Sequence, residues 1–466
     1  LKSAGISQDF GDITSIYCPD PAAFGQFVEV GTFRGAEGRA TTTLTGRYAA
    51  DLASDLLKLA KTRCSADVQV NFGACDPPAL FNTFTKKIIL ENAALTNFST
   101  EDLGALEPGE SGKINESSAL SASNFYEVLP LYFTEKAKDV VTNEVMDVVF
   151  CDSVACGECG AISGGCQKIY AVSLTAGGSP LTPADIVFSI DGGVTWYAHD
   201  IMSAGVTNPS CVCCLGNYVV VGTTVTATLD YALKSEIIPT SYETWTAVTT
   251  GFVTGKFPND VWSVGTAAFF AGEDGYVYKC VDPTQGVTVL EAGVQTTEDC
   301  NCIHALDEYR VLCGCDAGYV LYTLDGVNWT AKKAIAAGSA VNTVWMKSEY
   351  EWFAGTASGL LYYTVDKGVT WTAIGFPGSG SGVVKNICFA TDSVAYLSHT
   401  TAAPRGRILR SYDGGHSWNV LPESTGTMPL SDRFNALAAC TYNPNLVVGV
   451  GLGDNAVDGI IVVGQG

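Results

Sequence analysis

Three stretches of this chain can be laid over one another: FPNDVWSVGTAAFFAG (257–272), EDCNCIHALDEYRVLCG (298–314) and AVNTVWMKSEYEWFAG (340–355). In each, an Asn (Asn259, Asn301, Asn342) precedes an alternating apolar run, and a Gly (Gly272, Gly314, Gly355) ends a second run thirteen positions later. A third, Tyr-rich run follows (GYVYKC, GYVLYTL, GLLYYTV), then a fourth segment whose Trp is Trp329, Trp371 or Trp418. Looser copies begin at Asn386 and Asn435, and the upstream pair Trp196 and Trp245 keeps a similar spacing. Alternation with period two predicts strands, and four strands recurring every roughly 40 to 50 residues must bury their faces on neighbouring copies.

That pattern predicts a β-propeller. Seven blades are expected, at about 168–200, 205–250, 257–292, 298–335, 340–376, 382–421 and 431–466. The last ends at GIIVVGQG, a third strand with no fourth. A closed ring has no open edge, so the missing outer strand should come from upstream, and NEVMDVVFCD (143–152) is the candidate. Residues 1–142 lack the period. There RYAADLASDLLKLAKTR (47–63) spaces Leu52, Leu56 and Leu59 for one amphipathic helix. The surrounding runs QFVEVGTF, DVQVNF, FTKKIILENAAL and YEVLPLYFTE predict a sandwich or small barrel, with 103–123 as a polar arm. The expected class is therefore mainly all-β: an N-terminal β-sandwich or barrel (1–142) with one flanking helix, a Cys-rich junction (143–167), and a seven-bladed propeller (168–466).

Composition narrows function. Twenty-six basic residues against 48 acidic ones give a net charge of −22, which argues against gripping nucleic acid through its phosphates. An acidic wall could still let DNA slide past without sticking. The opening LKSAGISQDFGD shows no basic segment followed by an apolar one, so no signal peptide is expected. No run approaches the roughly 18 apolar residues of a membrane span, so no membrane insertion is expected.

SIDGGVTW (189–196), TLDGVNW (323–329), TVDKGVTW (364–371) and SYDGGHSW (411–418) recur in phase with the blades. The Asp of each (Asp191, Asp325, Asp366, Asp413) can accept turn amides, and Gly193, Gly368 and Gly415 suit a bend with positive φ. Trp196, Trp329, Trp371 and Trp418 can then pack into the blade. These stretches resemble the Asp-box, or BNR repeat, of sialidase-like propellers, where it marks the turn between third and fourth strands. The resemblance implies a structural turn rather than an active site. Sialidases need three arginines converging on a carboxylate, whereas here Arg405, Arg407 and Arg410 crowd together, with only Arg310 and Arg433 elsewhere after residue 167. With four His and no partnered nucleophile set, an enzyme is not expected.

Seventeen cysteines are many for a cytosolic protein of this size. Cys151, Cys156, Cys159 and Cys166 have spacing that suits disulfides at the domain junction or, less favoured, zinc or an iron–sulfur cluster. Cys300 and Cys302 on a first strand, and Cys313 and Cys315 on a second, suit cross-strand disulfides, a four-thiolate metal site beside His304, or buried free thiols. Cys211, Cys213, Cys214, Cys388 and Cys440 fall in first strands and suggest packing of small side chains. No cofactor is expected.

The stretch CSADVQVNFGACDPPALFNTFTKKIILENAALTNFSTEDLGALEPGES (64–111) resembles the tube-forming, or major tail, proteins of tailed bacteriophages. That resemblance implies a sandwich with one helix, assembled with copies of itself into stacked hexameric rings around a DNA channel and joined to other tail proteins of the virion. The propeller would then decorate the particle or touch host-surface glycans. The alternative is a secreted or surface propeller that binds glycan or protein; a sialidase-type enzyme is third.

Overall fold

The computed structural model describes residues 3–4, 7–9, 32–34, 39–48, 66–72, 86–101, 114–122, 124–136 and 143–466, apart from 152–165, 175–184, 201–207, 224–227, 241–243, 336–337, 402–404, 422–428, 430 and 455–457. It divides into two compact units, Leu1–Pro130 and Leu131–Gly466.

In the first unit, eight strands form one sheet. Its path runs Ser7–Asp9, Thr32–Arg34, Arg39–Tyr48, Ile114–Ala122, Lys86–Glu101, Ala66–Phe72, with Ser3–Ala4 on the third and Asn124–Val128 on the fifth. Lys86–Glu101 pairs with Ala66–Phe72 and Asn124–Val128 through its first half and with Ile114–Ala122 through its second. Of the helix expected at 47–63, Arg47 and Tyr48 instead end a strand, and 49–63 lie outside the described residues. The arm at 103–123 contains the strand Ile114–Ala122.

The second unit holds seven four-stranded antiparallel sheets. Their inner strands are Val145–Phe150, Pro209–Leu215, Pro258–Val264, Cys300–Ala305, Val341–Met346, Val383–Phe389 and Ser431–Ala439. Each touches the inner strand of the next blade and the last touches the first, so the seven ring one axis. The blades are numbered one to seven from Val145–Phe150.

Two sequence boundaries move. Segment 143–152 does not close the ring, because Val145–Phe150 is the inner strand of blade one, paired with Ile169–Ser173. The closing outer strand is Tyr132–Lys136, inside a run that the sequence assigns to the N-terminal sandwich. It pairs with Gly459–Gln465, and Phe133 packs where a Cβ on Gly464 would sit. The division between units therefore falls at 130/131 instead of 142/143.

The core lies between blades. One buried cluster joins Ala267, Phe269 and Val277 of blade three to Ile303, Val311 and Leu321 of blade four. Another joins Phe353 and Leu361 of blade five to Ile387, Leu397 and Leu409 of blade six. Blades seven and one share Val448, Val450 and Ile461 with Val145, Ile169 and Val187. A single blade buries neither face by itself, and each large side chain removed from water contributes about 1.5–3 kcal/mol only once its neighbour is in place.

Candidate functional site

Every inner strand carries a bulge, and in five of the seven blades the residue that occupies it hydrogen-bonds to the next blade. The amides of Asn259, Asn301, Asn342 and Asn435 donate to the carbonyls of Cys300, Val341, Val384 and Val145, at 3.0, 3.4, 3.0 and 3.0 Å. In blade two, Ser210 does the same to Pro258 at 2.8 Å. The bond from Asn435 links blade seven to blade one. In blade six this position is Lys385; Asn386 sits one residue later and accepts the Leu437 N–H. The Gly at the end of the second strand is also explained by its neighbour. A Cβ on Gly314 would lie 2.5 Å from Val341 and 2.6 Å from Cys302, and one on Gly355 would lie 2.4 Å from Val384.

In blades one, three and five the residue after the bulge lines the centre of the ring. Asp147 accepts Val148 N–H and, across the blade boundary, Val212 N–H, both at 2.8 Å. Asp260 repeats this with Val261 and Ile303, again at 2.8 Å. Thr343 accepts Ile387 N–H from blade six. Burial pushes the Asp147 carboxyl well above the usual carboxylate range, and the neighbouring Asp260 adds to this; hydrogen bonds from Val212 and Val148 oppose it. Burial also raises Asp260.

These groups line an axial cavity of about 380 Å³. Along one side Trp262 and Trp345 line it with ring centroids 5.2 Å apart, and the buried His304 packs against them at 4.5 and 4.0 Å. Burial drives His304 down to about 3, so its ring is neutral. Its Nδ1 accepts the Met346 N–H, which leaves the proton on Nε2. The positions opposite hold small side chains: Val149, Cys213, Cys388 and Ala438. The cavity lining extends to Tyr442, which is 59% exposed. Among the described residues no Lys or Arg lines it.

The four repeated turns lie elsewhere, between third and fourth strands. Asp191 accepts the N–H groups of Val194 and Thr195 and the Thr195 hydroxyl; Asp366 and Asp413 do the same for residues 369–370 and 416–417. Asp325, in the shorter turn, accepts Val327 and Asn328. Gly193, Gly368 and Gly415 have φ of 87, 72 and 94°. Trp196 and Trp418 donate Nε1–H to the carbonyls of Gly193 and Gly415, whereas Nε1 of Trp329 and Trp371 has no partner among the described residues. Burial opposes ionisation of Asp191 and Asp413, but their hydrogen bonds outweigh it and hold both below the usual range. The side-chain hydrogen bond from Thr370 leads those that draw Asp366 down to about 2.

The cysteines divide differently from the sequence reading. Cys151 pairs with Cys214 and Cys166 with Cys440, so the junction cysteines bind blade one to blades two and seven and not to each other. Cys156 and Cys159 lie outside the described residues. Cys300 pairs with Cys315, while Cys302 and Cys313 are buried free thiols. The bulge at Asn301 reverses the phase of the strand, so Cys302 faces Gly314 and blade five instead of sharing a face with Cys300. Cys211, Cys213 and Cys388 are buried free thiols too. Among the described residues no group of three or more His, Cys, Asp or Glu gathers to hold a metal. The arginines do not converge: Arg310 bonds Asp307, Arg410 bonds Pro444 and Asn445, and Arg433 pairs with Glu144 at 2.7 Å.

No protein-family model matches the chain. No curated protein matches it either. Among solved structures it is similar to "YCF48 bound to D1 peptide", with a TM-score of 0.52 and 12% identity over 72% of this chain and 95% of that one. It is similar also to YCF48 from Cyanidioschyzon merolae, with a TM-score of 0.51 and 12% identity over 72% of this chain and 98% of that one. The likeness is one of fold alone: a many-bladed β-propeller.

Asp147, Asp260, Trp262 and Trp345 went unread as site residues. Their signal is present in the sequence, since VMDVVF and PNDVWS each place an Asp inside an otherwise apolar inner strand. It becomes visible only once the bulge register aligns the blades.

Proposed function

We propose that the propeller is a non-catalytic binding module that receives its ligand in the axial cavity. The observation that carries this reading is the asymmetry of the cavity wall, with two carboxyls and two edge-to-face tryptophans converging on a space bordered elsewhere by smaller side chains such as Val149, Cys213, Cys388 and Ala438. The repeated turns, read as Asp-boxes, serve folding. Cysteines at disulfide distance suit display outside the reducing cytosol, on a virion or in the extracellular space. One similar solved structure is described as bound to a peptide, so peptides belong beside glycans and small amines in a ligand screen. Thermal-shift screening of such a panel against the chain and its Ala438→Leu variant tests the proposal. Ligands should lose most of their effect when the longer side chain narrows the cavity; binding that ignores the substitution rejects it.

The resemblance of 64–111 to tail-tube proteins carries a second proposal, that the N-terminal unit assembles with its copies into rings around a channel for DNA. The eight-stranded sheet of that unit is compatible with it. Electron microscopy of the purified chain should show rings or tubes, and discrete monomers across a concentration series refute the assembly.

A further inference from the structure

We propose that the axial cavity takes an alkylammonium group, carried either by a small organic amine or by a lysine side chain; this rests on the reading of the cavity as the binding site. Asp147 and Asp260 line the same space from blades one and three, and among the described residues no lining side chain brings a positive charge to meet them. Each carboxyl oxygen accepts one backbone N–H, which leaves lone pairs on all four oxygens for further donors. Burial disfavours charge on both carboxyls, and at Asp147 the nearby Asp260 adds to this. An ammonium ion supplies the missing counter-charge and three N–H donors.

Two independent features point the same way. Cys213, only 2% exposed, lines the cavity with a free thiol whose sulfur is a further weak acceptor. Trp262 and Trp345 offer indole rings beside the carboxyls, and indole attracts cations while accommodating an alkyl stem. The volume of about 380 Å³ accommodates a chain of several carbons behind the ammonium.

Titration of the full chain with hexylammonium chloride at neutral pH, followed by tryptophan fluorescence, tests this, with 1-hexanol as the neutral counterpart and the tripeptide Gly-Lys-Gly, acetylated and amidated at its ends, as the side-chain form. Hexylammonium should give a saturable change, and 1-hexanol should bind roughly tenfold or more weakly, the size of one lost charge-assisted contact. The Asp260→Asn variant should weaken hexylammonium by a similar factor and leave 1-hexanol unchanged. Should Asp260→Asn fail to fold, Asp147→Asn provides the same comparison. Binding by Gly-Lys-Gly assigns the lysine side chain, and binding by hexylammonium alone assigns a free amine. Equal binding of hexylammonium and hexanol overturns the ammonium assignment and leaves the cavity reading standing. Absence of any response to all three probes overturns both.

Discussion

Asp147 and the turn aspartates are carboxyls of the same chain moved in opposite directions by their surroundings. At Asp191 and Asp413 the hydrogen bonds from residues 194–195 and 416–417 favour the charged form. A folded value below the unfolded one gives stability that is present above about pH 4 and is lost as pH falls through the folded value. Asp147 behaves in the reverse sense. Its raised value gives stability that is full below about pH 4 and is lost as pH climbs toward 8, where the carboxyl must ionise inside the protein. The melting temperature should therefore peak in mildly acid solution and fall on both sides. A melting series from pH 3 to 9 measures this, and Asp147→Asn should flatten the alkaline limb while sparing the acid limb. An alkaline limb unchanged in the variant refutes the assignment.

At the scale of the strand, bulge and glycine act together. The bulge turns the Asn amide toward the next blade, and the Gly on the second strand opens the seat that the next inner strand fills. Gly355→Ala should cost about 1–3 kcal/mol by overpacking, because its Cβ would fall on Val384 and Thr343. The φ of Gly355 is not positive, so the cost is one of space and not of backbone strain. Urea unfolding should show the loss, and a companion Val384→Ala should recover part of it. The strands themselves were legible, since Asn259, Asn301 and Asn342 mark their starts and the Trp spacing marks their period. The bulge was not, and its omission put Cys302 on the same face as Cys300. A strand with one extra residue keeps its composition but inverts every later side chain, so period-two reading fails there without any compositional warning.

Across the whole propeller, the ring is closed by Tyr132–Lys136 adding the outer strand to blade seven and, beside the Asn435 bond to Val145, by Cys166–Cys440 joining blades one and seven across 274 residues. Cys440→Ser should lower stability by about 2–5 kcal/mol against denaturant, and reducing agent should bring the parent chain close to the variant. Equal resistance of the two under oxidising conditions would mean the ring closes without the disulfide. From its order of residues the chain determined that it repeats, that the repeats are four-stranded sheets, that there are seven, and that some upstream strand must complete the last. Which strand completes it, which cysteines meet and which carboxyls share the axis were decided by folding. Repeat and alternation are local properties, written into every stretch of roughly 40 to 50 residues. Closure, pairing and the cavity join residues that are far apart in sequence, and their positions follow from the register of all seven inner strands at once.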